Sequence, residues 1–364
     1  MAKIYKIDNI GFPLFNAKVS KNYLLKSNDI RVSDVWSFLS YTIKVSKEKV
    51  GGSILKKSEQ KFLLDLLEQS RYFYTTAEMA PIKSQPLLYY YSFMNLAKIA
   101  INLDSYLGND KKYVHGISDE ITTATKLSNA SIKCWKSSST DRYSVSEYLI
   151  KMLEDKDLPY VRDGKKGMSH SYTIEELLRN CVGIHKTFCE IYNKKGSFYK
   201  LSNIELYSMS KKIYFKAEIV DIDDNIMTSL NAKGYMVSKD NDKYHVTYHS
   251  SIKTTSNPTI AETHTLAKKI RDLGIWSYCD GNNYKLYISD KACQSSTSSI
   301  IYHIMFFFGS ITRYHPDLFD EIMSAKEYWL VSEFLKTQPV QFLYHIISKI
   351  NGAEVLMNKV ATAR

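Results

Sequence analysis

Apolar positions recur at helical spacing over long stretches of this chain, and at strand spacing in one stretch between them. Ser33-Asp34 can cap a helix through about Lys47, with Val35, Trp36, Phe38 and Leu39 as its apolar side. Ser58 opens a longer pattern in which Phe62, Leu63, Leu66, Leu67 and Phe73 keep helical spacing. The stretch Pro86–Ala100 reads as a buried helix around which the rest is organised. Ser84 can cap it, and Pro86 suits the first turn, where its missing N–H costs nothing. Leu87, Tyr91 and Met94, together with Leu88, Phe93, Leu96 and Ile99, cover most of the circumference, so more than one face packs against protein. Asn95, Lys98 and the tyrosines at 89–91 sit within that apolar surface, and polar groups there need partners.

Residues 105–172 are polar, with weak helices predicted at Ser118–Leu127 and Ser144–Leu153. Asp163-Gly164-Lys165-Lys166-Gly167 reads as a solvated turn, lacking the spacing of a phosphate-binding loop. Thr173-Ile174-Glu175-Glu176 is a capping box that opens a helix to about Asn193. From 198 the period changes. Lys212–Asp221 alternates like a strand, and two similar units follow. One is a helix near Asp224–Ala232 with a hairpin over 234–248; the other is a helix near Ile260–Leu273 with a hairpin over 274–289. Gly234 matches Gly274 and Tyr244 matches Tyr284, which reads as a duplicated helix–hairpin unit forming a small antiparallel sheet. Helical period resumes at Ser295. Ile300–Ile311 is apolar nearly all round and ends at Arg313-Tyr314-His315-Pro316; Asp317–Glu333 and Pro339–Ile350 read as two further helices. Residues 1–30 read as short strands with a turn at Gly11-Phe12-Pro13, and Gly51-Gly52 ends the first helical unit.

This pattern predicts an α+β fold: a mainly helical core with an inserted antiparallel-sheet module. The expected division is 1–195, an N-terminal helical domain; 196–292, the inserted module; and 293–364, C-terminal helices packing on the first domain. The net charge of +11 favours an anionic partner, RNA or DNA. Only 8 of the 49 basic residues are Arg, so the surplus is Lys, which suits non-specific phosphate contact. The alternative is a Lys-rich solvated surface. Five cysteines without a C-x-x-C argue against a zinc ribbon or a disulfide framework and fit a reducing cytoplasm. Met1–Ile10 alternates, so no signal peptide is expected, and Ile300–Phe308 is too short to span a bilayer.

His115 is the first candidate for chemistry. It lies beside Lys111, Lys112 and Gly116, and a histidine next to cations resists protonation, which suits a general base near neutral pH. Arg313, following a buried helix, could clamp a phosphate or carboxylate, with Lys112 as the other candidate cation. Asn95 and Lys98, one helical turn apart, could line the same pocket, and Lys111, Tyr90 and Tyr314 complete the candidate ligand-binding set. The bland alternatives are a histidine bonding loop carbonyls, a structural ion pair at Arg313 and an internal network at Asn95 and Lys98. Arg179 and His185 are a weaker pair. His245 and His249 share a strand face but lack a third ligand, so neither metal nor cofactor is expected. Trp276, Tyr278, Tyr284 and Tyr287 could stack bases or form sheet core.

Three blocks, "PLLYYYSFMNLAK" from Pro86, "HGIS" at His115–Ser118 and "ITRYHPDLFDEI" at Ile311–Ile322, resemble the YaaC-like family of bacterial proteins, some of them found near defence genes. The stretch "YYYSFMNLAK…KKYVHG", from Tyr89 to Gly116, also resembles the core helix pair of HEPN domains, many of which are RNases. Those use an Arg, four to six residues, then a His, where this chain has Lys111 or Lys112 before His115. The resemblance implies a HEPN-like core and a cytoplasmic, phage-defence protein cleaving RNA without metal, with His115, Lys112 and Arg313 as catalytic groups. It also implies a partner protein of a defence system and leaves self-association open. The rival expectation is a non-enzymatic scaffold or sensor whose duplicated module binds a protein.

Overall fold

In a computed structural model of the chain, the structure describes residues 5–6, 30–46, 55–104, 112–138, 141–154, 157–164, 167–209, 212–219, 222, 224–240, 243–249, 275–280, 284–289, 295–351 and 354–358. Strands β1 (Tyr5–Lys6) and β2 (Ile30–Val32) precede helix α1 (Val35–Val45). The Asp34 carboxylate caps α1, accepting from the Trp36 N–H at 3.0 Å; it satisfies an orphan amide at the positive end of the helix dipole. Helices α2 (Lys57–Met79) and α3 (Gln85–Asp104) pack as a pair. Ser70 Oγ on α2 lies 2.9 Å from the Ser92 carbonyl of α3, fixing the crossing where both side chains are small. As the apolar pattern predicts, α3 is buried on several faces and packs against α2 and three later helices.

Among the described residues the polar stretch after α3 carries six short strands and one helix. β3 (Lys112–Val114), β4 (Ile117–Asp119), β5 (Ser131–Trp135) and β6 (Arg142–Ser144) lead into α4 (Val145–Glu154), β7 (Val161–Arg162) and β8 (Met168–Thr173). β4, β5, β8 and β7 form one antiparallel sheet in that order, and β3 pairs with β6 in parallel. The helix predicted at Ser118–Leu127 is absent. Residues 117–119 pair with β5, and the Thr125 hydroxyl accepts from the Thr122 N–H at 2.8 Å, a local turn that competes with helix. Thr173 caps α5 (Ile174–Asn180), as predicted. The single helix predicted to run on to Asn193 breaks at Cys181. A 3-10 turn over Val182–Ile184 precedes α6 (His185–Tyr192), and the Arg179 carbonyl meets the His185 ring at 2.6 Å.

The sheet region comprises β9 (Phe198–Met209), β10 (Lys212–Ile219), α7 (Asp224–Ala232), β11 (Met236–Asp240), β12 (Lys243–His249), β13 (Ile275–Cys279) and β14 (Tyr284–Ser289). Strand order is β11-β12-β10-β9-β14-β13, antiparallel throughout, with β1 paired to β9. Hairpins β11–β12 and β13–β14 thus flank the central β9–β10 hairpin. Phe215, Ala217 and Ile219 of β10, Val246 of β12 and Ile288 of β14 pack with Ile226 and Leu230 of α7. Trp276 is buried edge-on against Phe198, so it is core and no base platform. The predicted helix at 260–273 and the turns at 11–13, 51–52 and 281–283 lie outside the described residues.

Helix α8 (Thr297–Tyr314) is buried nearly all round, and Pro316 starts α9 (Pro316–Ser324). α10 (Tyr328–Asn351) runs through Pro339, and β15 (Val355–Met357) follows. The predicted break at Pro339 therefore falls instead at residues 325–327. Proline removes one N–H bond, yet Phe334, Leu335, Phe342 and Ile346 on either side of it are buried, and tertiary packing holds the helix together. Phe342 stacks on Phe93 of α3 with ring centroids 4.1 Å apart. Emptying a site of that kind by Phe→Ala typically costs about 3–5 kcal/mol.

Described residues of Val32–Gly196 and Ser295–Asn351 form a helical unit; those of Met1–Arg31, Ser197–Gln294 and Gly352–Arg364 form a sheet unit. The fold is α+β. No helix among the described residues is long and apolar enough to cross a membrane.

Candidate functional site

Within the helical unit, His115 sits on the turn between β3 and β4. Gly116 makes that turn possible. Its φ is +69°, and a Cβ there would fall 1.7 Å from Ser144 Oγ and 2.6 Å from Ser144 Cβ, so no side chain fits. The backbone is tied on both sides: the Trp135 N–H donates to the Gly116 carbonyl at 2.8 Å and the Ser146 N–H to the His115 carbonyl at 3.3 Å. The imidazole is held over the N-terminal half of α3.

Helices α3 and α8 supply the facing wall. Tyr90 and Tyr91 come from α3; Ser310 and Arg313 come from α8, one turn apart. Gly309 lets the helices approach, since a Cβ there would lie 3.2 Å from Tyr90 Cβ and 3.4 Å from the Pro86 carbonyl. The result is a cleft of about 290 Å³, with Leu87, Ile117 and Phe306 as apolar lining and His115, Asp119 and Arg313 as its ionisable groups beside three tyrosines, Tyr90, Tyr91 and Tyr314.

His115 is exposed overall, but its Nδ1 edge meets Tyr90 Oη at 2.5 Å, with the two rings stacked. Burial first, and then the positive charges of Lys98 and Arg313, hold its pKa below the usual histidine value, so it is neutral at pH 7. Sequence reasoning foresaw a depressed histidine but credited the adjacent lysines. Tyr90 is deeply buried, which raises its pKa well above the ordinary tyrosine value and keeps its proton in place. Across the cleft, Arg313 Nη1 donates to Tyr91 Oη at 2.8 Å, and the guanidinium lies 4.9 Å from the Tyr314 ring centroid. Among the described residues no carboxylate pairs with it. Asp119 is half-buried and accepts a hydrogen bond from Ser310 Oγ.

His115, Arg313, Tyr90 and Tyr314 of the predicted set therefore line one cleft. Lys98 acts on His115 through its charge, its ammonium 5.7 Å from the Tyr113 ring centroid and its own pKa lowered by burial. Asn95 is buried in α3 and is not part of the cleft lining. Lys112 is exposed on β3, level with Arg142 of β6 and away from the lining, and Lys111 lies outside the described residues. The His185 ring meets the Arg179 backbone carbonyl at 2.6 Å and Cys189 Sγ at 3.4 Å. Among the described residues no group of three His, Cys, Asp or Glu side chains is placed to hold a metal. Sequence reasoning missed Ser310 and Asp119. The available signal for Ser310 was Gly309, because a glycine inside a buried helix marks a close backbone approach.

These features define an α+β protein with a small, mixed-polarity cleft in its helical unit. The family model described as YaaC-like Protein matches residues 13–350, and the chain belongs to that family. No curated protein and no solved structure matches it. Nothing in these comparisons carries the HEPN resemblance.

Proposed function

We propose that this YaaC-like protein associates with nucleic acid and cleaves RNA, without metal, in the His115–Arg313 cleft. One observation carries the reading: a neutral imidazole and a guanidinium without a described carboxylate partner line the same cleft. RNA transesterification needs those two functions. A base takes the proton of the ribose 2′-OH, whose oxygen attacks the adjacent phosphorus; the P–O5′ bond breaks and the 5′ oxygen leaves with a proton. The products are a 2′,3′-cyclic phosphate and a 5′-hydroxyl, with no net water consumed. The base role uses the tautomer in which Nδ1–H donates to Tyr90 Oη and the lone pair sits on Nε2. Arg313 would stabilise the charge developing on phosphorus, and DNA, lacking the 2′-OH, would bind uncut. Cleavage of this kind would suit a role in defence against phage.

The test is cleavage of single-stranded RNA in EDTA. His115→Ala should lower the rate roughly 10²–10⁴-fold and Arg313→Ala roughly 10²–10³-fold, at matched melting temperatures. Equal rates in wild type and His115→Ala, or loss of all activity in EDTA, would refute the proposal. One observation favours a second reading, a protein-binding module. Among the described residues β11 is an edge strand with four of its five residues exposed, a surface to which a partner strand can add. Val237→Pro, which removes an N–H within that strand, should then abolish partner capture while leaving RNA cleavage intact.

A further inference from the structure

The cleft holds two opposite charges that do not neutralise each other. Arg313 is held by Tyr91 and Tyr314, whereas Asp119 is held by Ser310. Ser310 and Arg313 are three residues apart on α8, about 4.5 Å along the helix axis. Yet no ion pair joins Asp119 to Arg313, nor to any other described cation. A phosphate can use Arg313 but is repelled by Asp119. An ionised carboxylate only accepts hydrogen bonds, so whatever faces Asp119 must donate them. The same cleft is lined by Leu87, Ile117 and Phe306, which suit a flat apolar body. At about 290 Å³ the cleft sits at the small end of ligand pockets, enough for one nucleotide-sized unit and not for a helix.

We infer that Asp119 is the specificity-determining residue of this cleft and selects guanine, taking the base's donor edge while Arg313 holds its phosphate. The inference rests on the nucleic-acid reading above and names the nucleotide. Guanine is the base whose Watson–Crick edge places two donors side by side, N1–H and N2–H, to match the two oxygens of a carboxylate. Oδ2 of Asp119 accepts from Ser310 and keeps a further lone pair for the ligand. Adenine and cytosine each set one amino group beside a ring acceptor, which would face the carboxylate with its lone pair. Uracil sets a single N–H between two carbonyls. A base in single-stranded RNA exposes this edge to a protein.

The experiment is calorimetric titration of the full chain with 5′-GMP, 5′-AMP, 5′-CMP, 5′-UMP and inorganic phosphate. GMP should bind roughly 5- to 100-fold tighter than UMP, the range a two-bond base contact provides. Asp119→Asn, nearly isosteric, should bring GMP down to the level of UMP and leave phosphate binding unweakened, which also reports that the variant is folded. Nucleotides that all bind equally, or a guanine preference unchanged in Asp119→Asn, would overturn the assignment and leave the RNA reading standing. If neither nucleotide nor phosphate binds, both fall together. If Asp119→Asn does not fold, the wild-type ranking of the four nucleotides decides alone.

Discussion

Replacing Gly116 by alanine tests how the cleft is built. Two separate costs arise there. The φ of +69° is left-handed, and a non-glycine residue in that region costs roughly 1–2 kcal/mol. The added methyl would also sit 1.7 Å from Ser144 Oγ, 2.6 Å from Ser144 Cβ and 3.2 Å from Ser144 Cα. A hydroxyl can rotate away, but Cβ and backbone cannot. Ser144 is buried in β6, so relief requires the β3–β4 turn to move, at the roughly 1–3 kcal/mol of an overpacked site. Gly116→Ala should therefore lose about 2–5 kcal/mol, a large part of the roughly 5–15 kcal/mol that holds a folded domain. Ser144→Gly in the same chain removes the worst overlap but not the backbone strain, so the double variant should regain the steric part and no more. Urea unfolding, read as midpoint and slope, measures both variants. A Gly116→Ala midpoint within the equivalent of about 0.5 kcal/mol of wild type would refute the reasoning, as would a double variant no more stable than the single one.

Three other outcomes follow from the charges described. Because burial, Lys98 and Arg313 keep His115 below 6.5, the acid limb of any RNA-cleavage profile should have its midpoint below 6.5, and Lys98→Met should move it part of the way up; a midpoint above 6.5 in wild type contradicts this. His303 and His345 are buried and held at about 3, mainly by burial, so the unfolded chain takes up their protons first. Their stabilisation is complete above about 6.5 and is lost progressively from there down to about 3, roughly 2 kcal/mol for each residue by pH 5; equal urea stability at pH 7.5 and pH 5 would rule it out. RNA affinity, if the surplus Lys contacts phosphates, should fall with salt at a log–log slope of about −0.7 per contact for single strands; a slope near zero would remove the electrostatic argument.

Residues such as Pro86, Phe93 and Ile99 made α3 legible, because a helix apolar on several faces can only be a central one. The same holds for α8, and the strand period of 212–219 and the repeated hairpins were equally readable. Residues 117–135 were not. The buried pattern of Ile132 and Cys134 between half-exposed neighbours is strand-like, but it is short and set among Ser, Thr and Lys, which carry little periodic signal. Pro339 misled for a different reason: its local cost is real, but the packing around it decides, and packing cannot be seen locally. At the site, His115 and Arg313 were visible as residue types next to Gly116 and at the end of a buried helix. That they share a cleft with Asp119 depends on the register of β4 and the crossing of α3 with α8. Both are long-range facts that no local spacing encodes.

The helical unit is assembled from chain on both sides of the sheet unit, and this sets an order of events during synthesis. By the time Gly196 has left the ribosome, α3 is complete, but α8 and α10, two of the helices that cover it, have not been made. At about 5–20 residues per second, the intervening stretch alone delays them by roughly 5–20 s. Over that interval Phe93 has no Phe342 to stack on. A nascent chain ending at Gln294 should thus bind hydrophobic dyes and holding chaperones strongly, whereas one extended past Asn351 should not. A Gln294-terminated chain that unfolds cooperatively and binds no dye would show that the first segment closes its core alone. The cleft, lined by residues of both segments, is among the last features of this protein to form.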